Sequence, residues 1–146
     1  QEVKDLLSAS TWPGMKILMF AFDGREEGQE RPEFYKENCV CYTGTHDNTT
    51  LMGWLESLPN EIFDPLTQYF GTSDKELIAT KIIEEGERSK ALLMVVPVQD
   101  WLGMGKEARI NTPGTASGNW QWRLADFDKL FSLADKIKEA IGDRAR

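Results

Sequence analysis

The chain is poor in histidine, in cysteine and in positive charge. Its 146 residues hold one histidine, His46, and two cysteines, Cys39 and Cys41. One imidazole and two thiols do not make a convincing zinc site, so no metal is expected. If Cys39 and Cys41 lie in a strand, they share a face with Cα atoms about 6.5–7 Å apart, the limit for a disulfide. They read as reduced thiols in a cytoplasmic protein. Lys and Arg number 17 against 24 Asp and Glu, a formal net charge of −7. A nucleic acid or an anionic membrane surface needs a basic face, so neither is an expected partner. No run approaches the ~18 apolar residues of a membrane span. The first ten residues lack the basic-then-apolar layout of a signal peptide. They open on Gln1, not Met, so an earlier natural start is expected.

What is present is ordinary for a globular chain: 40% hydrophobic and 28% charged residues, enough apolar content to exclude wholesale disorder. The length suits one domain, read as a single segment over 1–146. A complete eight-stranded α/β barrel takes about 250 residues. Five tryptophans are many for this length, and their rings suit cores, interfaces and sugar faces.

The pattern predicts a short amphipathic helix over 2–9, with Val3, Leu6 and Leu7 on one side, broken at Trp12-Pro13-Gly14. Met15 to Phe22 is a nearly continuous apolar run, the mark of a strand buried on both faces. Asp23 to Asn38 reads as an exposed excursion, with Glu26, Glu27 and Glu30 as solvated surface. Cys39 to Thr43 is a second buried strand. A helix capped by Asn48 or Thr49 runs from there to about Ser57. Pro59 ends it, and Pro65 fits the first turn of another short helix. Ser73 and Glu76 form a capping box before a helix with Leu77, Ile78, Ile82 and Ile83 inward and Gly86 weakening its far end. Leu92 to Val98 is a third buried strand. A loop over 99–118 holds four glycines, and a last helix spans about 127–141 with Leu130, Leu133, Ala134, Ile137 and Ile141 inward.

Three apolar strands with long connections predict an α/β fold on a parallel sheet. About four helices, two of them strong, leave the sheet edges open, so the chain reads as a piece of a larger sheet or barrel. Ligands in such folds bind at the carboxyl ends of the strands. There the sequence places Asp23 and Arg25, then Thr45, His46, Asp47 and Asn48, then Gln99, Asp100, Glu107, Arg109 and Asn111. Asp47 beside His46 is the sharpest feature. A carboxylate there can orient sugar hydroxyls or stabilise positive charge, or it can simply cap the next helix. A Ser-His-Asp triad is not expected, since an adjacent Asp is poorly placed to orient its neighbour's ring. Asp100 reads as a loop anchor. Residues 101–122 combine Trp101, Trp120 and Trp122 with Arg109 and Asn111, aromatic faces plus planar polar groups of the kind that hold sugars. Packing of Trp120 and Trp122 against the fold is the alternative. Gly103-Met104-Gly105-Lys106 lacks the spacing of a phosphate loop, and no cofactor is expected.

Pro13-Gly14-Met15-Lys16, then Tyr42-Thr43-Gly44-Thr45-His46-Asp47-Asn48, then Val98-Gln99-Asp100, Asn111-Thr112-Pro113-Gly114-Thr115 and Gly118-Asn119-Trp120 resemble the 4-α-glucanotransferases called amylomaltases or disproportionating enzymes. The resemblance runs in order along essentially the whole chain. It implies the last three strands and helices of an α-amylase-like (β/α)8 barrel. It also implies the transfer of α-1,4-glucan segments between maltooligosaccharides by a retaining mechanism, which needs a nucleophile, an acid/base and groups favouring an oxocarbenium-like transition state. Asp47 then matches the family's transition-state-stabilising carboxylate, His46 a donor-subsite hydrogen bonder, and Asn111 a residue of the substrate groove. Trp54, Trp101 and Trp120 are candidate stacking residues. The family's usual Asp after His-Asp-Asn is here Thr49. The nucleophile and acid/base lie on earlier strands in the family, so the chain alone is expected to be inactive and to need the rest of the barrel as partner. A truncated glucan-binding or partner-binding module, and self-association through open sheet edges, are the alternatives.

Overall fold

The computed structural model describes residues 2–24 and 31–142. Helix α1 (Glu2–Ser10) leads through Thr11 and Trp12 into strand β1 (Gly14–Ile17). Asn38 sets that entry: its side-chain amide donates to the carbonyls of Thr11 and Trp12, both at 3.2 Å, and its own carbonyl accepts from Gly14 N–H at 2.9 Å. Val3, Leu6 and Leu7, expected on one side of the helix, are all exposed.

The apolar run 15–22 is not one strand. It turns after Ile17 into a single-turn helix, α2 (Leu18–Ala21). An unbroken apolar stretch carries no period, so it fits a buried strand or a buried helix turn equally well. Burial decides here: Leu18, Met19 and Phe22 all reach the core, and Met19 N–H donates to Thr43 O at the end of the next strand. The excursion that follows is only partly exposed. Pro32 and Tyr35 are buried, and the Arg31 guanidinium lies over the rings of Phe22 and Tyr69 at 5.1 and 4.4 Å. Arg25, Glu26, Glu27 and Glu30 lie outside the described residues.

Strand β2 (Cys39–Tyr42) is the middle of a three-stranded, all-parallel sheet. Gly14 pairs with Cys39 and Ile17 with Tyr42 on one side; on the other, Val40 pairs with Leu93 and Tyr42 with Val95. Cys39 and Cys41 are buried and not joined in a disulfide. Helix α3 (Leu51–Ser57) starts later than its sequence suggests: Thr50, not Asn48 or Thr49, is the cap, its side chain accepting from Gly53 N–H at 3.1 Å. Helix α4 (Asn60–Phe70) begins directly after Pro59 and carries Pro65 in its interior, not its first turn.

Helix α5 (Lys75–Arg88) is capped by Asp74, one residue beyond the expected Ser73. Its carboxylate accepts from the N–H groups of Glu76 and Leu77 at 2.9 and 3.3 Å. Its buried face is Ile78, Ala79, Ile82, Ile83 and Gly86, while Leu77 is exposed. Gly86 has a packing role there. A Cβ would sit 2.6 Å from the end of Met94 and 2.7 Å from Leu18 Cδ1, so the missing side chain is what lets α5 lie against the sheet.

Strand β3 (Leu93–Val95) is shorter than the expected 92–98 and is not buried on both faces, since Leu92 and Leu93 are largely exposed. Pro97, with no N–H to give a ladder, caps the short helix α6 (Val98–Trp101). The loop 99–118 therefore contains most of that helix and a 3-10 turn at Lys106–Ala108. The last helical stretch is broken in two, α7 (Phe127–Phe131) and α8 (Ala134–Ile141). Of its expected inward set, Leu130, Leu133, Ile137 and Ile141 are half-buried and Ala134 is exposed. The core lies between the sheet, α3 and α5, with Leu18, Cys41, Leu51, Leu55, Ile78 and Ile82 sealed from solvent.

Candidate functional site

The polar residues gather at the carboxyl end of β2. The chain leaves the strand at Tyr42 and turns back into α3 through residues 43–50. Asn48 closes that turn. Its Oδ1 accepts from the N–H and the hydroxyl of Thr45 at 2.9 and 2.8 Å, and its own N–H donates to Thr45 O at 3.1 Å. Asp47 N–H donates to Thr45 Oγ1 at 3.3 Å. The apex of this cross-linked turn presents His46 and Asp47, with side chains 53% and 49% exposed. The imidazole Nε2 stands 3.4 Å from Asp47 Oδ1, within ion-pair distance.

A second segment is fastened to the first by one guanidinium. Arg109 Nη2 donates to Asp47 O and Nε to Asn111 O, both at 2.7 Å. The planar fork spans two backbones at once, which an ammonium cannot do. With the backbones fixed, Asn111 Nδ2 donates to Asp47 Oδ1 at 2.6 Å. Asp47 Oδ2 makes no hydrogen bond among the described residues.

Trp120 completes the group. Its ring lies 5.1 Å from the His46 ring, centroid to centroid, at 37°. The residue has φ +63°, a conformation that bulky side chains avoid. Two sets of bonds hold it there. Trp120 N–H donates to Ile110 O at 2.7 Å. Asn119 accepts from Thr112 N–H at 2.9 Å and donates to Thr115 O and Oγ1 at 3.1 and 2.9 Å. The indole stays more than half exposed, so it is displayed and not packed away.

Beneath the turn lies Asp100, buried at the carboxyl side of β3. It accepts from the Thr43 hydroxyl at 2.5 Å and from Leu51 N–H at 2.7 Å. Burial pushes its carboxyl above the ordinary carboxylate range, and the two hydrogen bonds pull the other way. Gln99, also buried, donates to Ala108 O at 3.3 Å.

The structure thus brings together His46, Asp47, Asn111 and Trp120. It does not bring Trp54 or Trp101 to them: both are half-buried and packed against the core. Asp23 follows Phe22, whose ring meets Tyr69 and Phe70, and precedes Gly24, which lies against Ile62. The end of the first apolar run therefore packs against α4. The linking role of Arg109 and the loop-closing role of Asn119 are not legible in sequence; the one local signal is Gly118, at φ +81°, beside Asn119. A cavity of about 70 Å³ under the turn, lined by Thr45, Asn48, Gln99 and Ile110, is well below the roughly 300 Å³ of a small-ligand pocket. A wider hollow of about 1000 Å³ lies between α5 and the last helices, lined by Ala79, Ile83, Trp101, Leu133 and Ile141. None of the four clustered side chains lines it, and it reads as a loosely filled helix seam.

A family model described as 4-alpha-glucanotransferase matches residues 1–129. The chain belongs to the 4-alpha-glucanotransferase family. It is 36% identical over its whole length to the chloroplastic/amyloplastic 4-alpha-glucanotransferase of Solanum tuberosum, and 38% identical over 94% of its length to the 4-alpha-glucanotransferase of Clostridium butyricum. It covers 26% and 28% of those proteins, so it spans about a quarter of the length of these relatives. Among solved structures, the amylomaltase from Streptococcus agalactiae in complex with acarbose superposes with a TM-score of 0.79 over 97% of the chain and 28% of the amylomaltase, at 30% identity. The amylomaltase from Corynebacterium glutamicum, at 19% identity and a TM-score of 0.63, shows the shared fold alone. The three parallel strands and their helices are accordingly part of an α/β barrel of the glucanotransferase type.

Proposed function

We propose that this chain forms one wall of the sugar site of an enzyme that transfers α-1,4-glucan segments between maltooligosaccharides. The observation that carries the reading is the Asn111–Asp47 hydrogen bond, with the His46 ring beside the same carboxylate and Trp120 against that ring. Glycosyl transfer passes through an oxocarbenium-like state, and a fixed carboxylate beside the sugar ring lowers the energy of that positive charge. Asn111 holds Oδ1, which leaves Oδ2 for sugar hydroxyls. His46 supplies a further polar contact, and the exposed indole face of Trp120 suits the apolar C–H face of a pyranose. The outer edges of β1 and β3 are where the remaining strands of such a barrel would join.

Retaining transfer needs two carboxyl groups about 5–5.5 Å apart across the scissile bond. Among the described residues the cluster holds one carboxylate, Asp47. The reading is therefore that the 146-residue chain binds glucan without turning it over, the nucleophile and acid/base belonging to other strands. Titration with acarbose or maltotriose, followed by tryptophan fluorescence, is expected to give a saturable response that Asn111→Ala and Trp120→Ala weaken. Absence of any response at millimolar sugar would sink the proposal. Glucose and maltotetraose formed from maltotriose by the pure chain would overturn the assignment of the missing carboxylates. In a complete transferase carrying this segment, Asp47→Asn is expected to lower kcat by about 10²–10³ with KM little changed.

A further inference from the structure

We infer that Asp100 is a positioning residue: its single carboxylate brackets the His46–Asp47 turn at both ends and holds it in the sugar-binding arrangement. The inference deepens the glucan reading and rests on it for its purpose.

Residues 44–50 leave the fold between two fixed points, Thr43 at the end of β2 and Leu51 at the start of α3. Asp100 accepts from both, through Oδ2 from the Thr43 hydroxyl and through Oδ1 from Leu51 N–H. Thr43, Leu51 and Asp100 are all buried, so water does not substitute for either bond. The carboxylate comes from α6, just beyond the third strand, and reaches across to the end of the second. It fixes the separation of the turn's two stems from below, as Arg109 fixes the apex from the side. Among the described residues its oxygens bond only Thr43 and Leu51.

The sole histidine makes the turn observable. With His46 labelled, the chain gives one imidazole Cε1–H resonance, displaced by the ring current of Trp120 about 5 Å away. Trp120→Ala sets the undisplaced position. Asp100→Asn can accept from Leu51 and donate to the Thr43 oxygen, so it is expected to keep the wild-type resonance and to bind acarbose within about two-fold of wild type. Asp100→Ala and Thr43→Val remove the bracket. Each is expected to move the resonance toward the Trp120→Ala position and to weaken acarbose binding about ten-fold, with circular dichroism unchanged. Thr43→Ser is expected to restore both.

The inference is overturned if the resonance stays in place in Asp100→Ala and Thr43→Val, or if wild type already sits at the undisplaced position. It also falls if folded Asp100→Asn behaves like Asp100→Ala, since charge and not the bracket would then matter. Should Asp100→Ala unfold, Thr43→Val with its Ser control decides the matter. A wild-type chain that binds no acarbose removes the glucan reading and leaves the resonance test of Asp100 intact.

Discussion

The sheet with α3 and α5 and the polar segment 109–123 are held by different forces. In the first, Leu18, Leu51, Leu55, Ile78 and Ile82 are sealed from water, each contributing roughly 1.5–3 kcal/mol by burial. In the second, most side chains are exposed, and the shape comes from Arg109 and Asn119 bonding backbone, from Asn111 bonding the Asp47 carboxylate, and from Trp120 in a disfavoured conformation. The core supplies stability and no chemistry. On the proposed reading the polar segment supplies chemistry, and its geometry rests on a few exposed polar bonds, so a change there can remove function while the chain stays folded.

Leu55→Ala is expected to have the largest effect. It empties a sealed site and lowers unfolding free energy by about 2–5 kcal/mol in a denaturant melt. A cost under 1 kcal/mol would mean that the core is not close-packed. Gly53→Ala tests how α3 seats on the turn just before the polar segment. A Cβ there would lie 2.9 Å from the backbone nitrogen of Lys106 and 2.7 Å from Thr49 Oγ1, so α3 must part from the 106–108 turn, at a cost of about 1–3 kcal/mol. Arg109→Lys keeps the charge and loses the fork. It is expected to shift stability by less than about 1 kcal/mol while reducing sugar affinity about ten-fold; equal affinity would show that the Asp47–Asn111 contact needs no clip. Trp120→Gly has the smallest expected effect on stability, within about 1 kcal/mol and toward higher values, because glycine adopts φ +63° freely. A clear loss of stability would place Trp120 in the packed region after all.

The same division explains what the sequence discloses. The apolar face of α5 is legible because one-sided burial leaves a period in the sequence, and the parallel strands are legible as apolar runs joined by long connections. Where burial is continuous the period vanishes, and so the 15–22 run hides the turn at Leu18. Caps are legible only to within a residue, since Ser73 and Asp74 are both good acceptors and helix direction chooses between them. His46, Asp47 and Asn111 stand out as a motif, whereas Arg109 acts through a contact 62 positions away. Trp54 and Trp101 carry the right chemistry for stacking, but their helices turn them to the core.

The register of the sheet also sets an order of events. Joining β1 to β2 brings together residues 14 and 39, a separation of 25, while β2 to β3 joins residues 40 and 93, a separation of 53. The longer closure costs about 0.7 kcal/mol more in chain entropy, and parallel pairings of this span are slow to form. Asp100 follows the late strand. The bracket on the His46–Asp47 turn therefore closes after the β1–β2 pairing, and the surface proposed to face the sugar, which also needs Asn111 and Trp120, is completed only once the chain beyond β3 has docked.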